Sequence, residues 1–431
     1  MFLRLWGSFI LVFFLVISSF AASLPRHSND TPFDRDENIE EEHLQLLEEE
    51  LPPSDIPITL NDRVEYFIKY FTTQRREVFS LWLARSTRYL PIIKEIFRKY
   101  GLPEDLAYLA MIESGFNPFA YSRAGACGIW QFMRRTARRY GLKINYWVDE
   151  RRDPEKSTIA AAKYLLDLYE EFECWHLASA GYNAGEAKVR RAIRRYRTRD
   201  FWKLCRYRYL KRETKNYVPK MIAAMIIAKN PEKYGFHVDY LPPLEYEVIK
   251  VPGGTDLRAL ALATGTDYDT IRLLNAELRR GRTPPNVAYY PVKVPFGRGE
   301  EALKALSKIR YVYHHQNLRH RVRRGETLRE IAAYYGVSVR FLRRANGLRR
   351  NRVRPGMVLR IPIRTQAVLY VANTPEEGQS SSAVVYRVRP GDSLWKIARK
   401  FGVSLQKLKA WNNLTSNIIR PGLTLVIWPE A

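Results

Sequence analysis

The chain has 431 residues, too many for one ordinary domain, and its length favours about three domains. Its formal net charge of +26 is uneven: Ser23 to Ile58 carries eleven acidic residues against two arginines, a net of −9, so the remainder carries +35. So basic a body favours polyanionic partners, namely cell-wall polymers, acidic lipid surfaces or nucleic acid, although solvated surface charge would give the same composition.

The N-terminus has the pattern of a secretory signal. A basic start is followed by an apolar run from Phe9 to Ile17 and then by small residues up to Ser23. We predict a signal peptide over 1–22 and an acidic flexible leader over 23–58, with an uncleaved membrane anchor as the alternative. The protein is then exported to the periplasm or cell envelope, and is membrane-associated if the signal is uncleaved. No cysteine precedes Cys127, which argues against a lipid-modified N-terminal cysteine.

The three cysteines, Cys127, Cys174 and Cys205, all lie in the middle of the chain. Outside the cytosol one disulfide could form among them, and the sequence does not choose the pair. The Cys and His spacing is not typical of a metal site, and no motif indicates a cofactor. We therefore predict neither a metal nor a cofactor.

From Asn61 to about Tyr234 the apolar periodicity is helical almost throughout. Asp153 and Pro154 form a helix start, and Val218 to Ile227 is a continuous apolar run typical of a buried helix. We therefore predict an all-α domain over 59–236, large enough to bury its own core.

One helix of this domain places a carboxylate where a core residue is expected. The helix opens at Pro103, its apolar face carries Leu106, Leu109 and Ala110, and Glu113 is the next position on that face. Burial disfavours a charged carboxylate, so Glu113 should have a raised pKa and could act as a general acid near neutral pH. The alternative is a helix-end glutamate that points to solvent or pairs with an arginine.

After Phe236 the pattern changes to short β-rich runs, and an internal repeat appears. Two copies, at 319–363 and 385–429, align without gaps at an offset of 66 residues. Each copy predicts a strand, two short helices and a closing strand. A diverged copy spans 240–300, and the polar stretch within 364–384 is predicted to be a linker.

Four stretches of the helical domain set polar residues into small or apolar runs. They are Glu113-Ser114, Gly128 to Gln131, Gly181 to Gly185 and Glu213 to Val218. A cleft that binds sugar needs amides and hydroxyls for the ring substituents, aromatic faces for stacking, and glycines where a backbone comes close. The ordered set therefore predicts a glycan-binding cleft.

These motifs closely resemble those of the family 1 lytic transglycosylases of bacterial cell walls, and the layout resembles the membrane-bound lytic murein transglycosylase D type. The resemblance covers nearly all of the chain after the leader. It implies an all-α goose-lysozyme-like catalytic domain followed by small α+β (βααβ) LysM modules. Two features depart from the family pattern: Arg134-Arg135 stands where the family often has Pro-Gly, and the lipid-modified cysteine is missing.

The resemblance also implies roles for individual residues. Glu113 would be the catalytic acid and base. The implied substrate-binding residues are Ser122, Gln131, Met133, Tyr182, Asn183, Glu213 and Tyr217. Among these, Tyr182 and Asn183 would position Glu113 and the glycan, and Glu213 and Tyr217 would close the wall of the site.

Most glycosidases need two carboxylates, whereas here only Glu113 occupies a convincing acid position. The resemblance implies that Glu113 protonates the oxygen between N-acetylmuramic acid and N-acetylglucosamine while the muramyl N-acetyl group supports the cationic centre. Deprotonated Glu113 then takes the proton of the muramyl C6 hydroxyl, which closes a 1,6-anhydro ring without water. A dry pocket would serve both steps.

The repeats resemble LysM modules, which bind glycans that contain N-acetylglucosamine. The implied contact residues are Gly325, Glu326, Thr327, Leu328 and Asn351 to Val353 in one copy, and Gly391, Asp392, Ser393, Leu394 and Asn417 to Ile419 in the other. Core packing is the alternative for Leu328, Ile331, Leu394 and Ile397. Several weak sites on one chain would raise the effective concentration of the enzyme at the wall.

Two rival functions stay open at this point. A hydrolytic muramidase of the same fold would need a second carboxylate that holds a water, and Asp153 or Glu186 could be tried in that role. A non-catalytic wall-binding protein would keep the fold without the chemistry. Peptidoglycan glycan strands are the predicted partner, and nucleic acid is not. A peripheral membrane contact, a second cell-wall enzyme and the oligomeric state are left open.

Overall fold

The computed structural model describes residues 51–307, 310–369, 384–389, 391–412, 417, 419 and 423–427. The predicted signal peptide and the leader up to residue 50 lie outside the described residues. Among the described helices, none combines the length and the apolar character that crossing a membrane requires.

The first part of the described chain is helical, as predicted. Its helices are α1 (Asp62–Thr72), α2 (Arg76–Lys99), α3 (Tyr108–Ser114), α4 (Arg134–Arg139), α5 (Pro154–Phe172), α6 (Trp175–Ala184), α7 (Glu186–Tyr196), α8 (Phe201–Arg206), α9 (Arg212–Lys215) and α10 (Tyr217–Lys229). Asp153 caps α5, because its side chain accepts a hydrogen bond from the Lys156 N–H.

Helix α10 forms the centre of this domain. Ten of its thirteen residues are buried, and it packs against α1, α3 and α6. A helix that is apolar all round must lie inside the protein, which is why the continuous apolar run gave the correct prediction. This central position brings the N-terminal end of α10 to the C-terminal end of α3.

The last eight residues of the predicted leader pack against the helical domain. Ser54 donates a hydrogen bond to Asp105 over 2.9 Å, Ile56 is 3% exposed, and the Pro57 carbonyl lies 2.9 Å from His176 Nε2. Asp105 in turn forms an ion pair of 2.6 Å with Lys229 at the end of α10. The segment 51–58 is therefore held by contacts on both α10 and the loop before α3.

Three small modules follow, each with a two-stranded antiparallel sheet. The elements are β1 (Tyr246–Pro252), α11 (Leu257–Ala263), α12 (Tyr268–Leu274), β2 (Tyr289–Pro295) and α13 (Gly299–Ser307), then β3 (Arg310–Arg321), α14 (Leu328–Tyr335), α15 (Val339–Ala345) and β4 (Val358–Leu369), then β5 (Val384–Arg387), α16 (Leu394–Lys400), α17 (Leu405–Trp411) and β6 (Thr424–Ile427). Strand β1 pairs with β2, β3 with β4, and β5 with β6. Each of the two clear repeats has the predicted strand–helix–helix–strand order, and β4 continues to Leu369, into the predicted linker.

A loop of the helical domain supplies part of the core of the first two modules. Trp147 is 3% exposed, belongs to the same buried cluster as Val251 and Leu328, and donates a hydrogen bond from Nε1 to the Tyr335 carbonyl over 3.0 Å. The Arg279 N–H donates to the Trp147 carbonyl over 2.9 Å. Trp147 and Val148 of the helical domain therefore join one hydrophobic core that the first two modules share, whereas the third module has a core of its own.

Candidate active site

Glu113 occupies the last turn of α3, as the helical spacing predicts. Leu106, Leu109 and Ala110 are fully buried, but the α-helix begins at Tyr108 and not at Pro103, since Glu104–Ala107, which contains Leu106, forms a 3-10 turn. The helix ends at Gly115, which has a left-handed φ of +58°, and a Cβ at this position would lie 2.0 Å from Trp82 Cδ1. Only glycine fits both the dihedral angle and the space, so this residue fixes where α3 stops and where Glu113 points.

The carboxyl group of Glu113 has one hydroxyl partner, Tyr217. The Tyr217 hydroxyl donates a hydrogen bond of 2.6 Å to Glu113 Oε1. Glu113 keeps some contact with solvent, as an acid that must reach substrate requires, but protein atoms surround its carboxyl group and raise its pKa to about 7. The hydrogen bond from Tyr217 opposes this rise, and the negative charge of Glu213 adds to it. Glu113 can therefore hold a proton near neutral pH.

Lys220 is a neighbour of Glu113 that the motif analysis missed. It lies one turn after Tyr217 on α10, and its Nζ is 5.3 Å from the centre of the Phe67 ring. Burial lowers the pKa of Lys220, whereas the charges of Glu213 and Glu113 raise it. The spacing of three residues from Tyr217 was the sequence signal that could have identified it.

Tyr182 contacts the backbone beside the site rather than the Glu113 carboxyl group. Its hydroxyl donates a hydrogen bond of 2.9 Å to the Trp130 carbonyl. Trp130 is fully buried and donates from Nε1 to Thr158 over 2.9 Å. The hydrogen bond to Glu113 is therefore made by Tyr217, while Tyr182, which the resemblance implied would position Glu113, holds the backbone beside Gln131.

The loop from Ser122 to Met133 carries the next three predicted residues. Ser122 Oγ accepts the Ala126 N–H over 3.0 Å, and Gln131 donates from Nε2 to the Gly128 carbonyl over 2.8 Å. Gln131 has a φ of +46°, an unusual value for a residue with a side chain, and Met133 is 46% exposed. Backbone strain of this kind is concentrated at functional sites, and here it accompanies a glutamine at the cleft.

A buried ion pair lies against this loop. Arg151 is fully buried and forms an ion pair of 2.8 Å with Asp149. Arg151 also donates to the carbonyls of Gly125 and Phe132 over 2.7 and 2.8 Å. The Arg151 guanidinium therefore connects two parts of the loop from Ser122 to Met133.

Asn183 and the Glu213 motif meet on the opposite side of the site. Asn183 Oδ1 accepts a hydrogen bond of 2.9 Å from Thr214, a buried residue that the motif analysis did not single out. Glu213 itself is exposed, so it contributes charge to the cleft rather than packing.

The two residues considered as a second carboxylate are engaged elsewhere. Asp153 caps α5 and lies 3.7 Å from Lys293. Glu186 accepts a hydrogen bond from Tyr164 and forms an ion pair of 3.2 Å with Arg139. Neither arrangement leaves a carboxylate ready to hold an attacking water.

Among the described residues, the cysteines form no disulfide and the potential metal ligands form no metal site. Cys127, Cys174 and Cys205 are free, so none of the three pairings is formed in the structure. Within the described ranges, no group of three or more His, Cys, Asp or Glu side chains could hold a metal ion.

The predicted LysM contact residues divide into core, cap and exposed positions. Leu328 and Leu394 are at most 1% exposed, and Ile331 and Ile397 at most 2%, so the packing alternative describes all four side chains. Their apolar side chains are more stable in the module cores than in a solvated groove. A glycan can thus meet only backbone atoms of Leu328 and Leu394.

The polar residues beside them form helix caps and turns. Thr327 makes a capping box with Glu330, and Ser393 accepts the Lys396 N–H. Glu326 lies 2.9 Å from His320 Nε2, and Asp392 accepts the Tyr386 hydroxyl over 2.9 Å. Seven of the described contact residues are exposed: Gly325, Thr327, Asn351, Arg352, Gly391, Ser393 and Asn417.

Comparison with known families matches four stretches of the chain. The Transglycosylase SLT domain matches residues 91–205, the LysM domain matches 320–362 and 386–428, and the family described as the LysM-like domain of the lytic transglycosylase MltD matches 245–311.

Three individual proteins illustrate the similarity. Membrane-bound lytic murein transglycosylase D of Escherichia coli K12 is 32% identical over 375 residues, which are 83% of this chain and 77% of the relative. The solved 70 kDa soluble lytic transglycosylase of Escherichia coli is 22% identical, with 39% of this chain and 30% of that chain covered and a TM-score of 0.31. An inactive mutant of the lytic transglycosylase Slt of Pseudomonas aeruginosa is 24% identical, with 33% and 24% covered and a TM-score of 0.29.

Proposed function

The chain belongs to the lytic transglycosylases of the membrane-bound murein transglycosylase D type, and from this premise we propose that Glu113 acts alone as both acid and base. The observation that carries the proposal is the hydrogen bond of 2.6 Å between Tyr217 and a desolvated Glu113 whose pKa is about 7. A carboxyl group in that state can give a proton in one step and take one back in the next.

The first step breaks the bond between N-acetylmuramic acid and N-acetylglucosamine. Glu113 protonates the glycosidic oxygen, so that N-acetylglucosamine leaves as an alcohol, while the muramyl N-acetyl group supports the cationic C1. The Tyr217 hydroxyl stabilises the carboxylate that Glu113 becomes.

The second step closes the ring. The Glu113 carboxylate takes the proton of the muramyl C6 hydroxyl, and the C6 oxygen bonds to C1 to give the 1,6-anhydro product. Glu113 regains its proton, and no water is consumed. The engagement of Asp153 and Glu186 in ion pairs and hydrogen bonds supports this route over hydrolysis, which needs a second carboxylate to activate water.

The substrate-binding residues are proposed to divide between the two walls of the cleft. Ser122, Gln131 and Met133 contact the glycan from the loop that Arg151 holds. Asn183 and Glu213 contact it from the opposite wall, which the Thr214 hydrogen bond fixes. We place the enzyme on the periplasmic side of the envelope, with the LysM modules holding it on peptidoglycan.

Mass spectrometry of products released from purified peptidoglycan tests the chemistry. The full chain is compared with Glu113→Gln and with Glu213→Gln, which removes a nearby carboxylate that has no proton-transfer role in the proposal. We expect products one water lighter than hydrolytic ones from the full chain and from Glu213→Gln, and none from Glu113→Gln. Products of hydrolytic mass would establish a muramidase instead, and the absence of any product with intact wall binding would establish a binding protein.

A further inference from the structure

A cluster of tyrosines and cations lies on α7 and on the segment between α8 and α9, outside the four motifs. The rings of Tyr196 and Tyr207 stack in parallel, with centroids 3.9 Å apart and an angle of 4° between the planes. Tyr207 is 42% exposed, so one face of its ring packs on Tyr196 while the ring remains open to solvent.

Tyr209, which lies between α8 and α9, joins the cluster through two cations of α7. Its ring centre is 5.9 Å from Lys188 Nζ and 5.8 Å from the guanidinium carbon of Arg195. The same Arg195 carbon is 5.7 Å from the Tyr196 ring. Tyr196, Tyr207, Tyr209, Lys188 and Arg195 are called the tyrosine–arginine surface below.

The cations of this surface have no acidic partner among the described residues. Arg195 and Lys188 form no ion pair there, and neither do the neighbouring Arg206 and Arg208. By contrast, Arg190 on the same helix pairs with Glu171 over 2.6 Å. Positive charge therefore accumulates beside the exposed Tyr207 and the half-buried Tyr196 and Tyr209, where an anionic ligand would be attracted.

The surface lies on the two chain segments that meet at the contact between Asn183 and Thr214. Helix α7 begins three residues after Asn183, and the segment that carries Tyr207 and Tyr209 runs directly into α9, which holds Thr214. The hydrogen bond of 2.9 Å between Thr214 and Asn183 joins these two chain segments at the cleft. Lys188 follows Asn183 by five residues and Tyr209 precedes Thr214 by five, so the tyrosine–arginine surface begins close to this contact.

We propose that the tyrosine–arginine surface is a subsite for the peptidoglycan strand beyond the cleaved bond, a proposal that rests on the function proposed above. The C–H face of a sugar stacks on the Tyr207 ring, as sugars do on aromatic faces. Arg195 and Lys188 bind carboxylates of the peptide stems, which charge-assisted hydrogen bonds favour. The subsite therefore selects long, peptide-bearing strands over short fragments.

Steady-state cleavage by the full chain tests this subsite. The variants are Tyr207→Ala and Arg195→Gln, and the matched control is Tyr169→Ala, since Tyr169 also stacks on a neighbour (Trp175, 4.0 Å) and is 37% exposed. We expect Tyr207→Ala and Arg195→Gln to raise KM for polymeric peptidoglycan about three- to tenfold, with kcat unchanged, as the loss of one stacking or charged contact implies. The KM for the shortest cleavable muropeptide should not change, and Tyr169→Ala should behave as the unmodified protein.

A second measurement does not depend on catalysis. Hydroxyl-radical footprinting of full-length Glu113→Gln, with and without soluble uncrosslinked glycan strands, should show Tyr207 and Tyr209 protected by the strands and Tyr169 unprotected. Unchanged KM values together with an unprotected Tyr207 would overturn the subsite even if the transglycosylase chemistry holds. Products of hydrolytic mass with the expected KM increase would overturn the chemistry and leave the subsite in place.

Discussion

Replacing Tyr217 by phenylalanine should raise the pKa of Glu113 above its present value of about 7. The Tyr217 hydroxyl donates its hydrogen bond of 2.6 Å to the carboxyl group and stabilises the charged form, so its loss favours the protonated form. A hydrogen bond to a charged group contributes about 1.5 to 3 kcal/mol, which corresponds to about one to two pKa units. The pKa of Glu113 should then lie at about 8 to 9.

The pH dependence of kcat/KM measures this change directly. The first step needs protonated Glu113 in the free enzyme, so kcat/KM should fall as the pH rises through the pKa of Glu113. We expect the alkaline limb near pH 7 in the unmodified protein to move about one to two units upward in Tyr217→Phe. The release of 1,6-anhydro products from peptidoglycan, measured between pH 5 and 10, is the assay.

Tyr182→Phe is the matched control, because it removes a buried tyrosine hydroxyl that donates to the Trp130 carbonyl and not to Glu113. This variant should lower the free energy of unfolding by about 1 kcal/mol and leave the alkaline limb of the kcat/KM profile unchanged. An alkaline limb that stays in place or moves down in Tyr217→Phe would refute the reasoning, since the hydroxyl would then not stabilise the Glu113 carboxylate.

Three further predictions concern stability. Glu113→Gln should be more stable than the unmodified protein at pH 8, by at most about 3 kcal/mol in the free energy of unfolding, but not at pH 4. The reason is that the raised pKa of Glu113 destabilises the folded state as the pH rises from about 4.5 through about 7. Urea unfolding at both pH values measures the difference, and an equal difference at both would contradict the prediction. Asp149→Asn leaves the fully buried Arg151 without its carboxylate and should cost about 3 to 5 kcal/mol in the same assay, whereas a loss below 1 kcal/mol would show that the pair does not hold the loop. Trp147→Ala should lower the free energy of unfolding by about 3 to 5 kcal/mol. In calorimetry it should separate the unfolding of the helical domain from that of the first two modules. A single undivided transition would show that their packing does not depend on the Trp147 side chain.

Much of the fold followed from local pattern. The spacing of Leu109, Ala110 and Glu113 was sufficient to predict the α3 face that carries Glu113, because side chains three and four residues apart lie on one face of a helix. The predicted start of that helix was wrong, since residues 104–107 form a 3-10 turn. The continuous apolar run of α10 predicted a buried helix, because a helix that is apolar on every side is stable only inside the protein. The gapless repeat predicted the order of elements in the two LysM modules, because two copies of one pattern fold alike.

The site was predicted less completely, because hydrogen-bond partners are chosen in three dimensions. The resemblance implied that Tyr182 would position Glu113 and that Tyr217 would close the wall of the site. Only the distances show that Tyr217 reaches Glu113, while Tyr182 donates to the Trp130 carbonyl. Leu328 was predicted to contact glycan and to pack, and burial decided for packing. Its neighbour Thr327 could have been identified from the sequence as a cap, since Glu330 follows at the spacing of a capping box.

The sequence by itself determined which residues form helices, which face of α3 is apolar, and that two modules repeat, because these depend on periods of two to four residues and on direct self-similarity. The tertiary structure alone decided that Tyr217 meets Glu113 across 104 residues of chain and that Trp147 completes the core of modules far along the sequence. Periodicity constrains what lies on one face of an element. Which faces meet depends on the packing of the whole chain, and no local pattern encodes that.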